Sequence, residues 1–497
     1  MQPEYVLFQI VFLPILVSVF LTMLHHQIKG KIAGWLCFIC LTYILILVSI
    51  FTVNLFFGTS KAYIYSVVWA ASLGLTFGFL ADGLGMVMAL TITLLSAVVA
   101  VYSIKYMENE ENLPLYFSLY LLYTAGMLGT VLASDLIEFY VFFELMLIPS
   151  WALIHLWGTG ERERIAFKYL IYTHVGALSL LIGILATGAV YGTFSLLEIG
   201  KTSKELQVNF FTAKLTVLAL LVGLMVKLAI FPFHTWLPDA HAEAPTPISA
   251  LLSPAMIGIG GYGIFRIIFT AFPKVIQNFS LGLSVLALTT MVYGGLMALA
   301  QDDIKRLLAY SSISQMGYLL FGLASMSTLG LVGSMFHYFS HGTSKAILFM
   351  VSGIFIHQAG TRSIKKLGGL ASKLPYTSTA MTIAFLSISG VPPFNGFQSE
   401  WMIFLGAILY GVNQNQISRV IIAVFAVVAS TLTMGYALWT IKRTLFGRVP
   451  DQLNNVKEAS KLMVLPLLVL MVITVLTGIY PQFLNELLVS TVQKLTP

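Results

Sequence analysis

Charged residues are scarce in this sequence of 497 residues: Asp, Glu, Lys and Arg together make up 9% of it, against about 25% in an average soluble domain. Hydrophobic residues make up 58%, and the mean hydropathy is +0.90. These proportions exclude an ordinary soluble globular protein. Apolar stretches of about 20 residues recur from end to end, and each can cross a ~30 Å hydrocarbon layer as a helix. The sequence therefore predicts an all-α, polytopic membrane protein.

Cysteine is almost missing, since only Cys37 and Cys40 are present. Their CxxC spacing is typical of redox or metal pairs elsewhere, but both lie in the apolar run WLCFICLTYILILV, and no second pair exists. Ordinary packing is the favoured interpretation. The sequence contains no ligand set for iron–sulfur, haem or zinc and no Gly-rich phosphate loop. We therefore predict no cofactor, no metal site and no catalytic residue, so that any redox chemistry belongs to another chain.

A basic segment of the kind that precedes a cleaved signal peptide is also missing, because MQPEYV carries an acid and no basic cluster. We expect the opening hydrophobic run to be retained as the first of about fourteen spans, with short loops and no soluble domain. The predicted spans begin near Tyr5, Ile32, Phe79, Pro114, Leu136, Ile165, Phe211, Ile248, Phe279, Arg306, Leu329, Thr377, Ile417 and Leu462.

The basic residues are distributed unevenly over the loops. Roughly two-thirds of the 27 Lys and Arg residues fall in loops that follow odd-numbered spans. The opposite loops and termini carry fewer, among them Lys61, Lys204, Arg266 and Arg419. The positive-inside rule then predicts a multi-pass protein of the cell membrane with both termini on the outer face. The net charge of +7 follows from this topology and does not indicate a nucleic-acid partner.

Ionisable residues deep in a span are candidate functional residues, because each costs ~2.5–3.5 kcal/mol on insertion scales. Glu144 lies about two turns into DLIEFYVFFELMLIPSWALIHLW; the alternative is a lone acid that bonds a neighbouring helix. Lys227 follows LTVLALLVGLMV; its alternative is snorkelling to an interface. We expect an ion pair between the two across neighbouring helices. Asp135 and Glu138 lie nearer the boundary, where a solvated helix start is an equal alternative.

The segment HYFSHGTSK carries His337, His341 and Lys345 at spacings of four, so they share one face of a helix. A metal ion is disfavoured, because no carboxylate adjoins the histidines and the lysine would repel a cation. A line of groups that relay protons fits better, since histidine titrates near neutral pH. A histidine that only donates a hydrogen bond between helices is the alternative.

Proline and glycine interrupt two of the predicted spans. The seventh contains Pro232 and Pro238, and the twelfth contains SGVPPFNGFQSE, with Glu400 just beyond the break. Helices broken at membrane depth are tolerated where they are buried or line a cavity. The offset of five spans indicates two inverted five-helix repeats. The predicted division is an N-terminal three-helix segment, two repeats that each form a half-channel, and a C-terminal span: 1–113, 114–271, 272–446 and 447–497.

Four long segments resemble the signature regions of one membrane-protein family: KLAIFPFHTWLPDAHAEAPTPISALL, DLIEFYVFFELMLIPSWALI, DDIKRLLAYSSISQMGYLL and GVPPFNGFQSEWMIF. They are similar to the antiporter-like subunits of respiratory complex I, of Mrp-type sodium/proton antiporters and of membrane-bound hydrogenase-type complexes. The similarity runs from about Asp82 to Phe446. It implies fourteen helices, two inverted repeats and a polar axis along the membrane midplane.

The resemblance also implies roles for particular residues. The family's proton path corresponds here to Glu144, Lys227, His337, His341, Lys345 and Glu400, with Lys168 as an accessory position. One departure concerns the eighth span, where many relatives have a lysine in a stretch resembling AGVLLKxGGYG. This chain reads SPAMIGIGGYG, with Gly258 at that position. Either water and residues such as His234 or His241 complete the relay, or the path is altered.

We therefore expect a subunit of a complex I-related respiratory or ferredoxin/hydrogenase-type oxidoreductase complex that translocates H⁺, or exchanges Na⁺ for H⁺, without a redox centre of its own. Its expected partners are other membrane subunits, a peripheral redox arm reached through them, and the lipid bilayer. A subunit of a stand-alone Mrp-type antiporter is the first alternative. A scaffold that only positions other subunits is the second.

Overall fold

The computed structural model describes residues 3–58, 62–203 and 208–495. Within them, 13 helices are long and apolar enough to cross a membrane, and a broken pair completes the fourteen predicted spans. In order they are Pro3–Met23, Gly30–Phe57, Gly83–Tyr106, Leu113–Leu132, Leu136–Leu145 continued by Leu147–Trp157, Arg162–Tyr191, Phe210–Leu228 followed by Leu237–Glu243, Thr246–Phe269, Pro273–Leu299, Ile304–Ala324, Thr328–Ala359, Pro375–Ile388 with Asn395–Asn413, Ile417–Leu445 and Lys461–Ile479. We number these spans 1 to 14. The predicted all-α, polytopic fold is confirmed.

Two α-helices, a β-hairpin and four short 3₁₀ helices of the described residues lie outside this series. A short helix, Leu196–Thr202, follows span 6, and a helix at Gln482–Leu495 follows span 14. Between spans 2 and 3, strands Ala62–Ala70 and Leu75–Asp82 form an antiparallel hairpin that the sequence analysis did not predict. Span 3 consequently begins at Gly83 rather than near Phe79, because the Asp82 carboxylate accepts the Gly85 N–H at 2.8 Å and caps the helix.

Spans 8, 10 and 11 occupy the centre of the molecule. At least 94% of their apolar windows is buried, against 33% for span 13. The central spans therefore contact protein on nearly all sides, so polar side chains on them are shielded from lipid at membrane depth.

The two predicted helix breaks are present. The first half of span 7 ends at Leu228, Ala229 adopts a left-handed conformation with φ of 53°, and the helix resumes at Leu237. The Trp236 indole donates to the Val226 carbonyl at 3.0 Å, which satisfies one of the freed backbone groups. In span 12 the break follows Ile388 and the helix resumes at Asn395.

A matched pair of backbone contacts supports the predicted division into 114–271 and 272–446. Asp135 at the start of span 5 forms an isolated bridge with Ser195, and Asp303 at the start of span 10 forms one with Ser363. Both aspartates also cap the helices that they precede. The same arrangement therefore recurs five spans apart, while the repeat boundaries stay a prediction.

The count of basic residues placed Arg266 in an outer loop, and the structure shows that this placement is wrong. Arg266 lies within span 8 and is buried, with two hydrogen bonds of 2.7 and 2.6 Å to Asp82. Its Nε also donates to the Tyr262 hydroxyl at 3.0 Å. Pairing with a carboxylate makes burial tolerable, and this partner lies too far away in sequence to be recognised from span 8 alone. Arg419 is likewise buried, at the start of span 13, while Lys61 and Lys204 lie outside the described residues.

We expect Asp82→Ala to destabilise the protein by about 3–5 kcal/mol, because it leaves a buried guanidinium unpaired. Thermal unfolding of the detergent-solubilised chain measures the effect. Glu161→Ala is the matched control, since it removes the carboxylate of the exposed Arg164–Glu161 pair, which contributes little. Equal changes in the two variants would contradict a stabilising role for the buried pair.

Candidate functional site

Glu144 lies at the end of the first helix of span 5 and contacts span 6. Its Oε2 is 3.0 Å from Nδ1 of His174, and its other oxygen, Oε1, is buried without a hydrogen-bond partner among the described residues. The Glu144 side chain is 19% exposed and that of His174 49%, so the pair lies at the outer surface of the chain. The sequence analysis missed His174, although a histidine inside the apolar span 6 was the available signal.

Lys227 lies in the last turn before the break in span 7 and is 2% exposed. Its Nζ is 4.9 Å from the ring centroid of Phe143, the residue before Glu144. Glu144 acts on Lys227 electrostatically, but no ion pair within 4.0 Å joins them, because the carboxylate contacts His174 instead. The predicted partners are thus neighbours without the predicted direct contact.

The short helix after the break is held by three cations from two spans. Asp239 accepts hydrogen bonds from Lys168 of span 6 at 2.6 Å and from Arg306 of span 10 at 2.9 Å. Lys305 donates to the carbonyls of Ala242 and Ala244 at the helix end, which have no partner within the helix. Lys168, an accessory candidate, therefore anchors this helix in the structure.

His241 on that short helix faces span 11. It is fully buried, its ring stacks on Phe349 at 4.7 Å, and neither ring nitrogen has a hydrogen-bond partner among the described residues. It also interacts electrostatically with Lys345 and His341. His234 instead packs against Phe231 and Tyr293. Of the two candidates, the structure brings His241 to the polar face of span 11.

That face is continuous and buried. The rings of His337 and His341 are 6.2 Å apart, and both residues are 1% exposed. Lys345 donates to the Leu308 carbonyl at 3.1 Å and to the Ser311 hydroxyl, both on span 10. Both nitrogens of His341 and Nε2 of His337 lack a partner among the described residues. The arrangement suits proton transfer through water, since such nitrogens otherwise leave a desolvation cost of about 1–3 kcal/mol each.

Glu400 ends this line in the second half of span 12. It follows Ser399, whose hydroxyl is 2.9 Å from Nδ1 of His337, and it is 5% exposed. Its carboxylate lies over Gly390, where a Cβ atom would come within 2.5 Å of Oε2 and the φ angle is +68°. The left-handed φ angle favours glycine there, and any larger residue would also displace the Glu400 carboxylate. The broken helix thus provides the space that this carboxylate occupies.

Asp135 and Glu138 anchor the hairpin. Asp135 accepts from the N–H of Ile137 at 2.8 Å and from Thr76, and Glu138 accepts from the N–H of Gly78 at 3.1 Å. Both residues are buried, with exposures of 0% and 2%, so they are not a solvated helix start. Their contacts attach the second strand to span 5 rather than joining the line described above.

The Gly258 position is filled from span 11. A Cβ atom at Gly258 would lie 2.2 Å from Cδ2 of Tyr338, and the Tyr338 hydroxyl donates to the Ala255 carbonyl at 2.8 Å. The aromatic ring therefore occupies the space that a lysine side chain would need.

We expect Gly258→Ala to destabilise the protein by about 1–3 kcal/mol, because the added methyl group overpacks a buried contact. Gly282→Ala, at a helical glycine with nothing within 4 Å of the added Cβ, is the matched control and should not destabilise. Thermal unfolding in detergent measures both. Replacing Tyr338 with alanine should remove most of the cost of Gly258→Ala; an unchanged cost would show that the ring is not the cause.

The chain is similar in sequence and fold to subunits of known membrane complexes. F(420)H(2) dehydrogenase subunit M of Methanosarcina mazei is 36% identical over 440 residues, covering 86% of this chain and 85% of that protein. A chain of respiratory complex I from Thermus thermophilus superposes with a TM-score of 0.85 at 25% identity, covering 99% of this chain and 100% of that one. A chain of the Mrp complex from Dietzia sp. DQ12-45-1b has the same fold, with a TM-score of 0.88 at 24% identity over 100% of this chain and 98% of that chain.

Two family models match as well. Residues 68–117 match the N-terminal region of complex I chain 5. Residues 133–433, more than half of the chain, match the family described as NADH:quinone oxidoreductase/Mrp antiporter, TM. These matches cover spans 5 to 12 with both broken helices and the whole line from Glu144 to Glu400. The chain therefore belongs to the NADH:quinone oxidoreductase/Mrp antiporter transmembrane family.

Proposed function

We propose that this chain is an ion-translocating membrane subunit of a complex I-related redox complex. The observation that carries the proposal is a line of ionisable groups that begins at the partly exposed Glu144 and is buried from Lys227 in one broken helix to Glu400 in the other. Its members are Glu144, Lys227, His241, His341, His337 and Glu400, with Lys345 beside His341. Groups of this kind in a membrane interior are costly and mark ion paths.

The first step of the proposed path is a choice of partner by Glu144. When its carboxylate turns towards Lys227, the ammonium group gains a counter-charge. When it turns towards His174, as in the structure, Lys227 loses that counter-charge and tends to release its proton. A charge change in a neighbouring subunit can bias this choice, because the Glu144–His174 pair lies at the surface of the chain.

The later steps follow the contacts of the histidines. A proton released beside the break in span 7 passes through water to His241, whose nitrogens have no protein partner among the described residues. It then moves along His341 and His337 and leaves beside Ser399 and Glu400. His241 thus receives the proton at the centre of the path, the role for which many relatives have a lysine in span 8.

The redox reaction itself is assigned to other subunits. Similarity to a subunit of F(420)H(2) dehydrogenase over 86% of the chain favours a complex with a peripheral redox arm. The membrane is then the cell membrane, with both termini on its outer face. The same fold in an Mrp complex supports the alternative, a stand-alone Na⁺/H⁺ antiporter driven by the membrane potential. Neighbouring genes distinguish them: Cys-rich ferredoxin motifs favour the redox complex, and a run of small hydrophobic genes favours the antiporter.

We expect Lys227→Ala to lower the number of ions pumped per electron by about half or more, because the path loses the cation whose proton affinity depends on Glu144. Glu144→Ala should have a similar effect. The measurement is pumping per electron by the intact complex in proteoliposomes, with and without Na⁺. Lys214→Ala is the matched control, since this lysine of the same span is exposed and lies over Phe210.

Full pumping in both variants of the assembled complex would contradict the proposed path. If the variants instead impair assembly alone, and whatever assembles pumps normally, the chain is a scaffold. Ion exchange driven by an imposed membrane potential, without an electron donor or redox partner, would identify the antiporter instead.

We expect His174→Leu to lower pumping per electron about threefold or more without loss of assembly, because Glu144 then remains paired with Lys227. The decisive measurement is the double variant with Glu144→Gln. Residues that act as a pair are not additive, so adding His174→Leu to Glu144→Gln should cause no further loss. His155→Leu, a half-buried histidine of span 5 that stacks on Trp151, is the matched control. An additive loss for His174→Leu would contradict the pairing.

A further inference from the structure

A second polar site shares no residue with the proposed ion path and lies where the ends of spans 2, 3, 4 and 14 meet. A cavity of about 370 Å³ is lined there by three lysines, Lys31, Lys105 and Lys461, together with Glu108 and Ser460. Three apolar residues complete the lining: Ile104, Leu113 and Leu462. Because every lining residue lies at or near the end of a span, the cavity is at the depth of lipid headgroups.

The charges of this cavity are only partly compensated. Lys105 pairs with Glu108, whereas the ammonium groups of Lys31 and Lys461 make no ion pair or hydrogen bond within the part of the chain that the structure describes. The lining therefore carries three cations and one anion. An anionic group within the cavity would have two free ammonium groups to contact.

The start of span 14 adds donors to the same cavity. Ser460 occupies the N-cap position but makes no capping hydrogen bond, although a serine there ordinarily accepts one from the first turn. Its hydroxyl is shielded from solvent and has no partner among the described residues. The first backbone N–H groups of a 19-residue helix also favour an anion at this end.

We propose that this cavity binds the phosphate of an anionic phospholipid. The lysines and the start of span 14 would hold the phosphodiester group, and the apolar lining would contact the first carbons of the acyl chains. Basic pockets between transmembrane helices are known sites for anionic headgroups. A zwitterionic lipid fits less well, because Glu108 is the one carboxylate that lines the cavity and it already pairs with Lys105.

The test is native mass spectrometry of the purified complex in detergent, titrated with phosphatidylglycerol, phosphatidylcholine or inorganic phosphate. We expect phosphatidylglycerol to be retained, and its affinity to fall roughly a hundredfold in Lys31→Gln/Lys105→Gln/Lys461→Gln, at about fivefold per lysine. A matched control changes three exposed lysines on the same side that do not line the cavity: Lys365→Gln/Lys366→Gln/Lys442→Gln. It should alter affinity by about twofold at most.

A second variant tests the site by a gain of binding. Glu108→Gln removes the one lining carboxylate, so phosphatidylglycerol should bind about threefold to fivefold more tightly, a result that misfolding cannot produce. Three outcomes would overturn the proposal: equal retention of phosphatidylcholine, displacement of the lipid by inorganic phosphate at an equal concentration, or the same loss in both triple variants. If Lys31→Gln/Lys105→Gln/Lys461→Gln fails to assemble, Glu108→Gln decides alone. Unchanged or weaker binding of phosphatidylglycerol by Glu108→Gln would then overturn the proposal.

Discussion

The structure depends on one constraint: a charge or a free backbone group at membrane depth must find its partner inside the protein, because lipid supplies none. Arg266 satisfies the constraint with Asp82, and Lys305 does so with the carbonyls that end the short helix of span 7. The central, buried positions of spans 8, 10 and 11 make such contacts available. The polar line can exist because lipid-facing spans surround these three.

The number of spans and the two helix breaks were predictable, because hydropathy and proline act locally along the chain. The hairpin was not, since its anchors Asp135 and Glu138 look like boundary residues until Thr76 and Gly78 are brought beside them. Arg266 was misplaced for the same physical reason. Its burial depends on a carboxylate about 180 residues earlier, and no pattern within span 8 reveals that contact.

In the candidate site, too, features that depend on one helix were predictable, whereas contacts between helices were not. The spacing of His337, His341 and Lys345 fixed their common face, because helix geometry alone determines it. Which partner Glu144 contacts depends on how spans 5, 6 and 7 pack, so His174 could not be identified from the local pattern. The choice between His234 and His241 likewise required the position of the short helix against span 11.

Gly258 lies where the packing of span 11 and the charges of the candidate site meet. A lysine at this position would place another ammonium group beside span 11, which already carries Lys345; Lys345 and Lys305 both act electrostatically on His241. The ring of Tyr338 removes that option by filling the space, and it comes from the helix that also carries His337 and His341. In the proposed path, span 11 thus supplies both the ring that excludes a lysine from this position and the histidines that take its place. In the proposed path, the neutral ring of Tyr338 at this position is the reason that the proton passes to His241, whose ring nitrogens have no hydrogen-bond partner among the described residues.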